Sequence, residues 1–189
     1  MREFLIGLKA TLVFWILTAL IYPFIIIGLG FLLPYQANGS LIQNDQGQII
    51  GSALIGQTFQ ADNYFWSRPS AIAYSETAAA APTGLSGASN LAPSNPALIE
   101  RVQADIQRLE AAQVQPTADL ISTSGSGLDP HISPDAAIGQ INRISQARNL
   151  PPNQLASLIE EYTEGRFLGI FGEPGVNVLR LNLALDRLR

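Results

Sequence analysis

The strongest feature of the hydropathy pattern is an apolar run near the N-terminus. From Ala10 to Leu33 there are 24 consecutive uncharged, mostly apolar residues, about 36 Å of helix at a rise of ~1.5 Å per residue. Because the hydrocarbon core of a bilayer is ~30 Å thick, this run predicts a transmembrane helix with some tilt. Pro23 lies inside the run and removes one backbone donor. It predicts a kink, and it favours a neighbouring helix that helps to satisfy the freed carbonyl.

A cleaved secretory signal is the alternative interpretation of this run. Such a signal has an apolar region of only ~7–15 residues and a small-residue cleavage site, whereas the residues after Leu33 show no A-x-A pattern. We therefore expect a retained anchor. Arg2 and Lys9 precede the run and the next basic residue is Arg68, which predicts a cytoplasmic N-terminus. The predicted organisation is a cytoplasmic segment 1–9, a transmembrane helix 10–33 and one extracytoplasmic domain 34–189.

The pattern after the anchor predicts a small α/β domain. The predicted elements are a hairpin around the turn 44–47, helices from 96 to about 113, from 134 and from 152 to 165, and strands at 120–123 and 176–185. The last residues of this final strand could equally be helical. Asn95 and Ser133 are the expected N-caps of the first two helices. The predicted fold class is thus a single N-terminal transmembrane helix followed by about three helices with a small mixed sheet.

Two details of this pattern concern which side chains face the core. In the second helix, the expected core-facing stripe is Ala137, Ile138, Ile141 and Ile144, and the residues expected to project elsewhere are Gln140, Arg143 and Arg148. The aromatic cluster 64–66 is expected to anchor a loop, with Arg68 stacked on one of its rings. After the aromatic cluster, the Ala/Ser/Gly/Pro-rich stretch 75–96 predicts a long surface loop.

Charge and composition exclude several classes of function. Residues 34–189 carry nine arginines, no lysine and fourteen acidic residues, a net charge of about −5, which argues against nucleic acid as a partner. The absence of cysteine excludes disulfides and thiolate metal sites. There is no phosphate-binding G-x-x-x-x-G-K-[ST] motif. We therefore expect no catalytic residues, no metal ligands and no cofactor held by this chain alone.

The polar loop 124–134 holds the only histidine, His131, together with serines and Asp129. A membrane-tethered hydrolase or ligand-binding domain that uses His131 is the alternative function, although the nucleophile elbow G-x-S-x-G is absent. The structural interpretation is that Asp129 and Ser133 cap turns and His131 bonds locally. The loops 75–96 and 124–134 are the candidate interaction surfaces, and the candidate residues are Ser89, Asn90, Ser126, Gly127, Asp129 and His131.

Ordered blocks along nearly the whole chain resemble one family. They include Tyr22-Pro23, 36–42, 51–57, 68–71, 89–91, 94–96, 126–134, 148–150, 176–178 and 181–186. In one register, these blocks resemble the C-subunit family (KdpC) of the Kdp-type potassium-transporting P-type ATPase. Ala88 and Ala92 depart from the family's usual Ser-Gly-Gly-Ser-Asn-Leu-Gly, which weakens any likeness of this loop to the nucleotide-contacting motif of ABC transporters.

The resemblance implies a supporting role in a membrane complex of the bacterial inner membrane. The implied partners are a channel-like potassium-binding subunit, an ATP-hydrolysing P-type subunit, a small single-span subunit and the lipid bilayer. The family implies a need for this chain in assembly and a catalytic chaperone role that raises the ATP affinity of the hydrolysing subunit. Gln140 matches a family glutamine to which nucleotide contact is attributed. Because the predicted topology separates the domain from cytoplasmic ATP, we expect that effect to be indirect.

Overall fold

The computed structural model describes residues 1–78 and 84–188, and the chain forms two compact units, residues 1–41 and 42–189. The helices are α1 (Arg2–Ile16), α2 (Tyr22–Leu32), α3 (Pro34–Ala37), α4 (Pro96–Ala111), α5 (Ala118–Ile121), α6 (Pro134–Ile138), α7 (Ile141–Arg148), α8 (Pro152–Glu161) and α9 (Val178–Arg187). The strands are β1 (Leu41–Gln43), β2 (Ile49–Ser52), β3 (His131–Ile132), β4 (Thr163–Glu164) and β5 (Gly175–Asn177). The stretch 79–83 of the expected surface loop lies outside the described residues.

The first unit is dominated by one continuous helix, Arg2–Leu32, whose 31 residues are long and apolar enough to cross a membrane. A π-helical turn, Leu17–Ile21, joins α1 to α2, and the Tyr22 amide donates to the carbonyl of Leu17 five residues earlier. Pro23 follows directly. Such wider turns and prolines are the usual places where a helix bends, so the irregularity lies where the sequence predicts it.

The second unit contains two small sheets. β1 and β2 form the predicted hairpin, whose turn is closed by the Asn44 side chain as it accepts from the amides of Gln46 and Gln48 at 3.0 and 2.9 Å. The other sheet has the order β3-β5-β4. Both of its pairings are antiparallel, with His131 opposite Asn177 and Glu164 opposite Gly175. The sheet is therefore antiparallel in these pairings rather than mixed, while the α/β class is confirmed.

One apolar core joins the helices of the second unit to the three-stranded sheet. Its fully buried members include Leu109 of α4, Leu155 of α8 and Leu181 of α9. Local chemistry starts these helices as predicted: the Asn95 side chain accepts from the Ala97 amide, and Ser133 accepts from Ala136. Buried apolar side chains at helical spacing then hold each helix against its neighbours.

The predicted strand at 176–185 is wrong beyond Asn177, because only β5 is extended and α9 occupies the rest, in agreement with the helical alternative for the last residues. Val178, Leu181, Asn182 and Leu185 are buried at the spacing i, i+3, i+4, i+7 of one helix face. The alternating leucines suit a strand equally well, but Asn177 accepts from the Arg180 amide and caps a helix instead. The predicted strand at 120–123 is also wrong, since α5 ends at Ile121.

The second predicted helix is divided into α6 and α7 around Gly139 and Gln140. The division changes which residues face the core: Ala137 and Ile144 are buried as predicted, but Ile138 is half exposed. Gln140 and Arg143, expected to project elsewhere, are buried. The sequence expectation for these three residues is therefore wrong, because it assumed a single continuous helical face.

The buried polar residues hold the extended segment 62–66. Gln140 accepts from the Trp66 amide at 2.7 Å, and Asn182 accepts from Phe65 at 2.8 Å and donates back at 3.0 Å. Arg143 donates to the carbonyls of Asp62 and Tyr64. Side chains of α7 and α9 thus supply the backbone hydrogen bonds that a neighbouring strand would otherwise provide.

The aromatic cluster of this segment anchors it to the core as predicted, with Phe65 and Trp66 both buried. The arginines over the rings are not the expected one. Arg143 lies 3.8 Å from the centroid of the Trp66 ring and Arg148 lies 4.7 Å from that of Tyr64. Arg68 instead forms an ion pair with Asp129, so the predicted stacking of Arg68 is wrong.

Candidate functional site

The two candidate interaction loops contact each other. The Gly87 amide donates to the Ser126 carbonyl at 2.8 Å, and the Ser86 hydroxyl donates to the same oxygen at 3.1 Å. Asn90 is exposed and Ser89 is half-buried on the first loop. The structure therefore brings Ser126 and Gly127 together with the loop of Ser89 and Asn90, so that the two loops form one continuous surface.

Gly127 is the tightest point of this junction. Its φ is +67°, and a Cβ placed there would lie 2.6 Å from both the Gly87 carbonyl oxygen and a side-chain carbon of Ile72. Its own carbonyl accepts from the Ser70 hydroxyl at 2.7 Å. Only glycine satisfies both the backbone conformation and the close approach.

Asp129 and His131 form the centre of a charged row across the sheet edge. At one end of the row, Arg68 contacts Asp129 at 2.8 Å. The His131 ring follows, 3.6 Å from Asp129 on one side and 3.3 Å from Glu164 on the other. Glu164 in turn contacts Arg180 at 3.0 Å. Because Gly175 lies between them on β5 and has no side chain, the His131 ring reaches Glu164 across it. A Cβ at position 175 would lie 3.4 Å from the His131 Cβ and 3.6 Å from two atoms of its ring.

The row changes the acidity of its members. Contact with the Asp129 carboxylate, followed by the charge of Glu164, raises the pKa of His131 above 6.5, against the opposing effect of partial burial. The same contact with His131 and the nearby Arg68 lower the pKa of Asp129 below its ordinary value. The row therefore favours a protonated imidazole between two carboxylates.

His131 opens onto an acidic cleft of about 700 Å³. Its lining includes the carboxylates of Asp119, Asp129, Asp135, Glu164 and Glu173, and the guanidinium of Arg68. A hydrolase would need a neutral imidazole nitrogen directed at a serine hydroxyl. Here both ring nitrogens face carboxylates, and the amide of His131 donates to Asp129 at 3.0 Å. The geometry is that of a structural ion-pair row, in agreement with the turn-capping role predicted for Asp129.

Gln140 has no exposed surface. Its side-chain oxygen accepts from Trp66 and Arg143, each at 2.7 Å, and its nitrogen is directed at the carbonyls of Ala136 and Trp66 at 3.2 and 3.4 Å. All the hydrogen-bonding groups of this side chain are therefore directed at the domain's own atoms.

The structure also shows a surface that the sequence interpretation left unassigned. The loop between β4 and β5 carries four large apolar side chains that are 61–73% exposed: Phe167, Leu168, Ile170 and Phe171. We call these four residues the apolar tip. The available signal was a run of bulky apolar residues around one glycine, without helical or strand periodicity, between two predicted elements.

Comparison with known proteins gives a consistent result over the whole chain. The family described as KdpC, the c chain of K+-transporting ATPases, matches residues 4–187. A protein from Synechocystis sp. named potassium-transporting ATPase KdpC subunit is 68% identical over 186 residues, which cover 98% of each chain. Proteins of the same name from Anabaena sp. and Gloeobacter violaceus are 58% and 53% identical, covering 98% and 100% of this chain and 93% and 98% of theirs.

Proposed function

Since the chain belongs to the KdpC family of K+-transporting ATPase c chains, we propose that it is an accessory, non-catalytic subunit of a high-affinity, ATP-driven potassium import complex. The observation that carries this proposal is the extent of the match. Residues 4–187 include nearly all of the apolar helix and of the second unit, so anchor and domain are shared with proteins that are named as subunits of that ATPase. The charged row around His131 supports a structural rather than a catalytic use of its polar groups.

The proposed topology is a cytoplasmic N-terminus, one membrane span and an extracytoplasmic domain at the bacterial inner membrane. It rests on Arg2 and Lys9 before the apolar helix. Because the chain has no cysteine, a single cysteine at Gln107, which is exposed on α4 outside both loops, or at Arg2 reports its own side alone. We expect a membrane-impermeant maleimide to label Gln107→Cys, and not Arg2→Cys, in spheroplasts. The reverse pattern would overturn the orientation.

The proposed partners are a channel-like potassium-binding subunit, an ATP-hydrolysing P-type subunit and a small single-span subunit. We place the anchor and Pro23 against a neighbouring helix, and the surface of the two joined loops against the outer face of the channel-like subunit. Asn90, Ser126 and Asp129 lie on or beside that surface. The loops suit this use because they are tied to each other and to the core by hydrogen bonds, and therefore present a preorganised surface.

We also propose that the chain raises the ATP affinity of the hydrolysing subunit indirectly, through these interfaces. The burial of Gln140 supports this, because the groups that would contact a nucleotide are directed at Trp66, Arg143 and Ala136. A photoreactive ATP analogue added outside sealed, right-side-out vesicles should leave the domain unlabelled. ATP-dependent labelling of this chain in permeabilised vesicles, at a site in its folded domain, would contradict an indirect effect.

Affinity purification of the tagged chain from its native membranes under potassium limitation tests the accessory role. We expect stoichiometric recovery of a P-type ATPase and a channel-like membrane protein, identified by mass spectrometry. Recovery of the chain alone would favour the tethered hydrolase. A His131→Ala chain that assembles normally but abolishes ATPase-coupled uptake would likewise point to chemistry at His131 rather than to structural support.

A further inference from the structure

The apolar tip is the most exposed apolar surface of the second unit. Leu168 and Ile170 are each 73% exposed, Phe167 is 71% exposed and Phe171 is 61% exposed. A contiguous group of bulky apolar side chains is costly to leave in water, and such patches mark protein or membrane contacts. Single exposed apolar residues such as Ile138 need no such explanation.

The tip is also built as a rigid projection. The Phe167 amide donates to the Phe171 carbonyl at 2.8 Å, and the Phe171 amide donates to the Phe167 carbonyl at 3.0 Å. The amides of Gly169 and Ile170 donate to the carbonyls of Arg166 and Phe167. Leu168 and Gly169 both have positive φ, which closes the turn between the two phenylalanines. Because four of the five backbone amides of residues 167–171 are bonded within the loop, the tip can enter a dry contact at little cost in ordering or in lost hydrogen bonds.

Charge distinguishes a protein groove from a lipid surface. The segment 160–174 carries four glutamates and a single arginine, Arg166, and that arginine is paired with Glu173 at 2.7 Å. Glu160 and Glu161 are exposed at the C-terminal end of α8, where the helix dipole disfavours negative charge. An acidic surround of this kind is repelled by anionic lipid headgroups, whereas an apolar tip that binds membranes usually has basic neighbours.

We propose that the apolar tip is a docking knob that inserts into an apolar groove with a basic rim on another subunit of the potassium-transporting complex. The inference rests on the proposed accessory function and adds a second contact, separate from the two joined loops. Leu168 and Ile170 are the central anchors, with Phe167 and Phe171 beside them. Glu160 and Glu161 pair with the rim, because Glu164 and Glu173 already pair with Arg180 and Arg166. Small clusters of large, desolvated side chains commonly carry most of the affinity of an interface.

Site-specific photocrosslinking in the assembled complex tests the contact directly. The full chain carries benzoylphenylalanine at position 170, or at position 138 as the control, since Ile138 is another exposed isoleucine of the same unit. We expect an adduct with a protein subunit from position 170 at several times the yield from position 138. Adducts with lipid alone, or equal yields at the two positions, would overturn the proposal.

A substitution experiment measures the strength of the contact. Leu168→Ser with Ile170→Ser should reduce recovery of the partner subunits by at least about tenfold, without changing the melting temperature of the chain, because both side chains are exposed. Ile138→Ser is the matched control. Glu160→Lys with Glu161→Lys should weaken recovery too, because it opposes a basic rim. Stronger crosslinking to lipid in that charge variant would instead favour a membrane contact and overturn the groove.

The outcomes separate this proposal from the accessory function. If the unmodified chain recovers no ATPase subunits, the accessory function itself fails. If the unmodified chain recovers them and the Leu168→Ser, Ile170→Ser chain recovers them equally, only the docking role of the apolar tip fails.

Discussion

Replacing Gln140 with leucine distinguishes a structural glutamine from a nucleotide-binding one. Leucine fills a similar volume but cannot accept from the Trp66 amide or from Arg143, both at 2.7 Å in the structure. A buried donor without a partner costs about 1–3 kcal/mol, and a lost hydrogen bond to a charged group about 1.5–3 kcal/mol. Arg143 keeps its bonds to the Asp62 and Tyr64 carbonyls, and this limits the decrease in the free energy of unfolding. We expect a decrease of about 3–5 kcal/mol in the free energy of unfolding.

The assay is thermal unfolding of the purified full chain in detergent, followed by near-ultraviolet circular dichroism. For a domain of this size a loss of that magnitude corresponds to a decrease in melting temperature of roughly 6–20 °C. Gln146→Leu is the matched control, because Gln146 is an exposed glutamine of α7, the helix that Gln140 directly precedes, and this variant should melt close to the unmodified chain. A Gln140→Leu chain that melts within about 2 °C of the unmodified one, yet alters the ATP dependence of the complex, would refute the structural reasoning.

Three further perturbations test the loops and helix caps. His131→Asn should lower the melting temperature by a few degrees at pH 5.5 and by less at pH 8, because the raised pKa of His131 stabilises the fold below pH 6.5 and this contribution is lost as the pH rises through the folded-state pKa. The lowered pKa of Asp129 adds stability that is lost only in stronger acid. A destabilisation that grows with pH would contradict the proposed ion pairing of His131. Gly127→Ala should lower the free energy of unfolding by at least about 1–2 kcal/mol and should speed hydrogen exchange of the amides at the junction of the two loops. Gly125→Ala is the control, because a Cβ at position 125 meets open space. Equal effects of the two substitutions would refute the close approach at Gly127. Asn95→Ala should cost about 1 kcal/mol in thermal unfolding through loss of the α4 cap, and an unchanged midpoint would show the cap to be dispensable.

Local chemistry explains which elements the sequence predicted correctly. Asn95-Pro96 and Ser133-Pro134 start helices as expected because a capping side chain and a proline at the first helical position act within four residues. The hairpin at Asn44 follows for the same reason. These signals are contained in the segment itself, so no knowledge of the tertiary structure is needed to interpret them.

Tertiary contacts explain what the sequence could not predict. Gln140 and Asn182 are polar, yet they are buried because their partners, Trp66 and Phe65, lie 74 and 117 residues away. Nothing near either residue in the chain indicates such a partner. The alternating leucines of α9 suit a strand as well as a helix, and packing against α8 and β5 decides the outcome. The two candidate loops stay a prediction, and their contact through Gly87 and Ser126 depends on the fold.

The internal contacts that hold the domain rigid are relevant to how an accessory domain could change the ATP affinity of another subunit. Coupling between two sites requires only that the domain bind more tightly to one conformation of the complex, and coupling free energies of about 1–3 kcal/mol are typical. A loosely ordered domain would adapt to both conformations and couple weakly. Here Gly127 fixes the two loops against each other, and Gln140 and Asn182 fix the segment 62–66 against α7 and α9. These contacts leave the domain little freedom to adapt. If the surface onto which the domain docks differs in shape between the two conformations of the complex, the domain therefore binds the two conformations with different affinities. The proposed indirect effect on ATP binding requires such a difference.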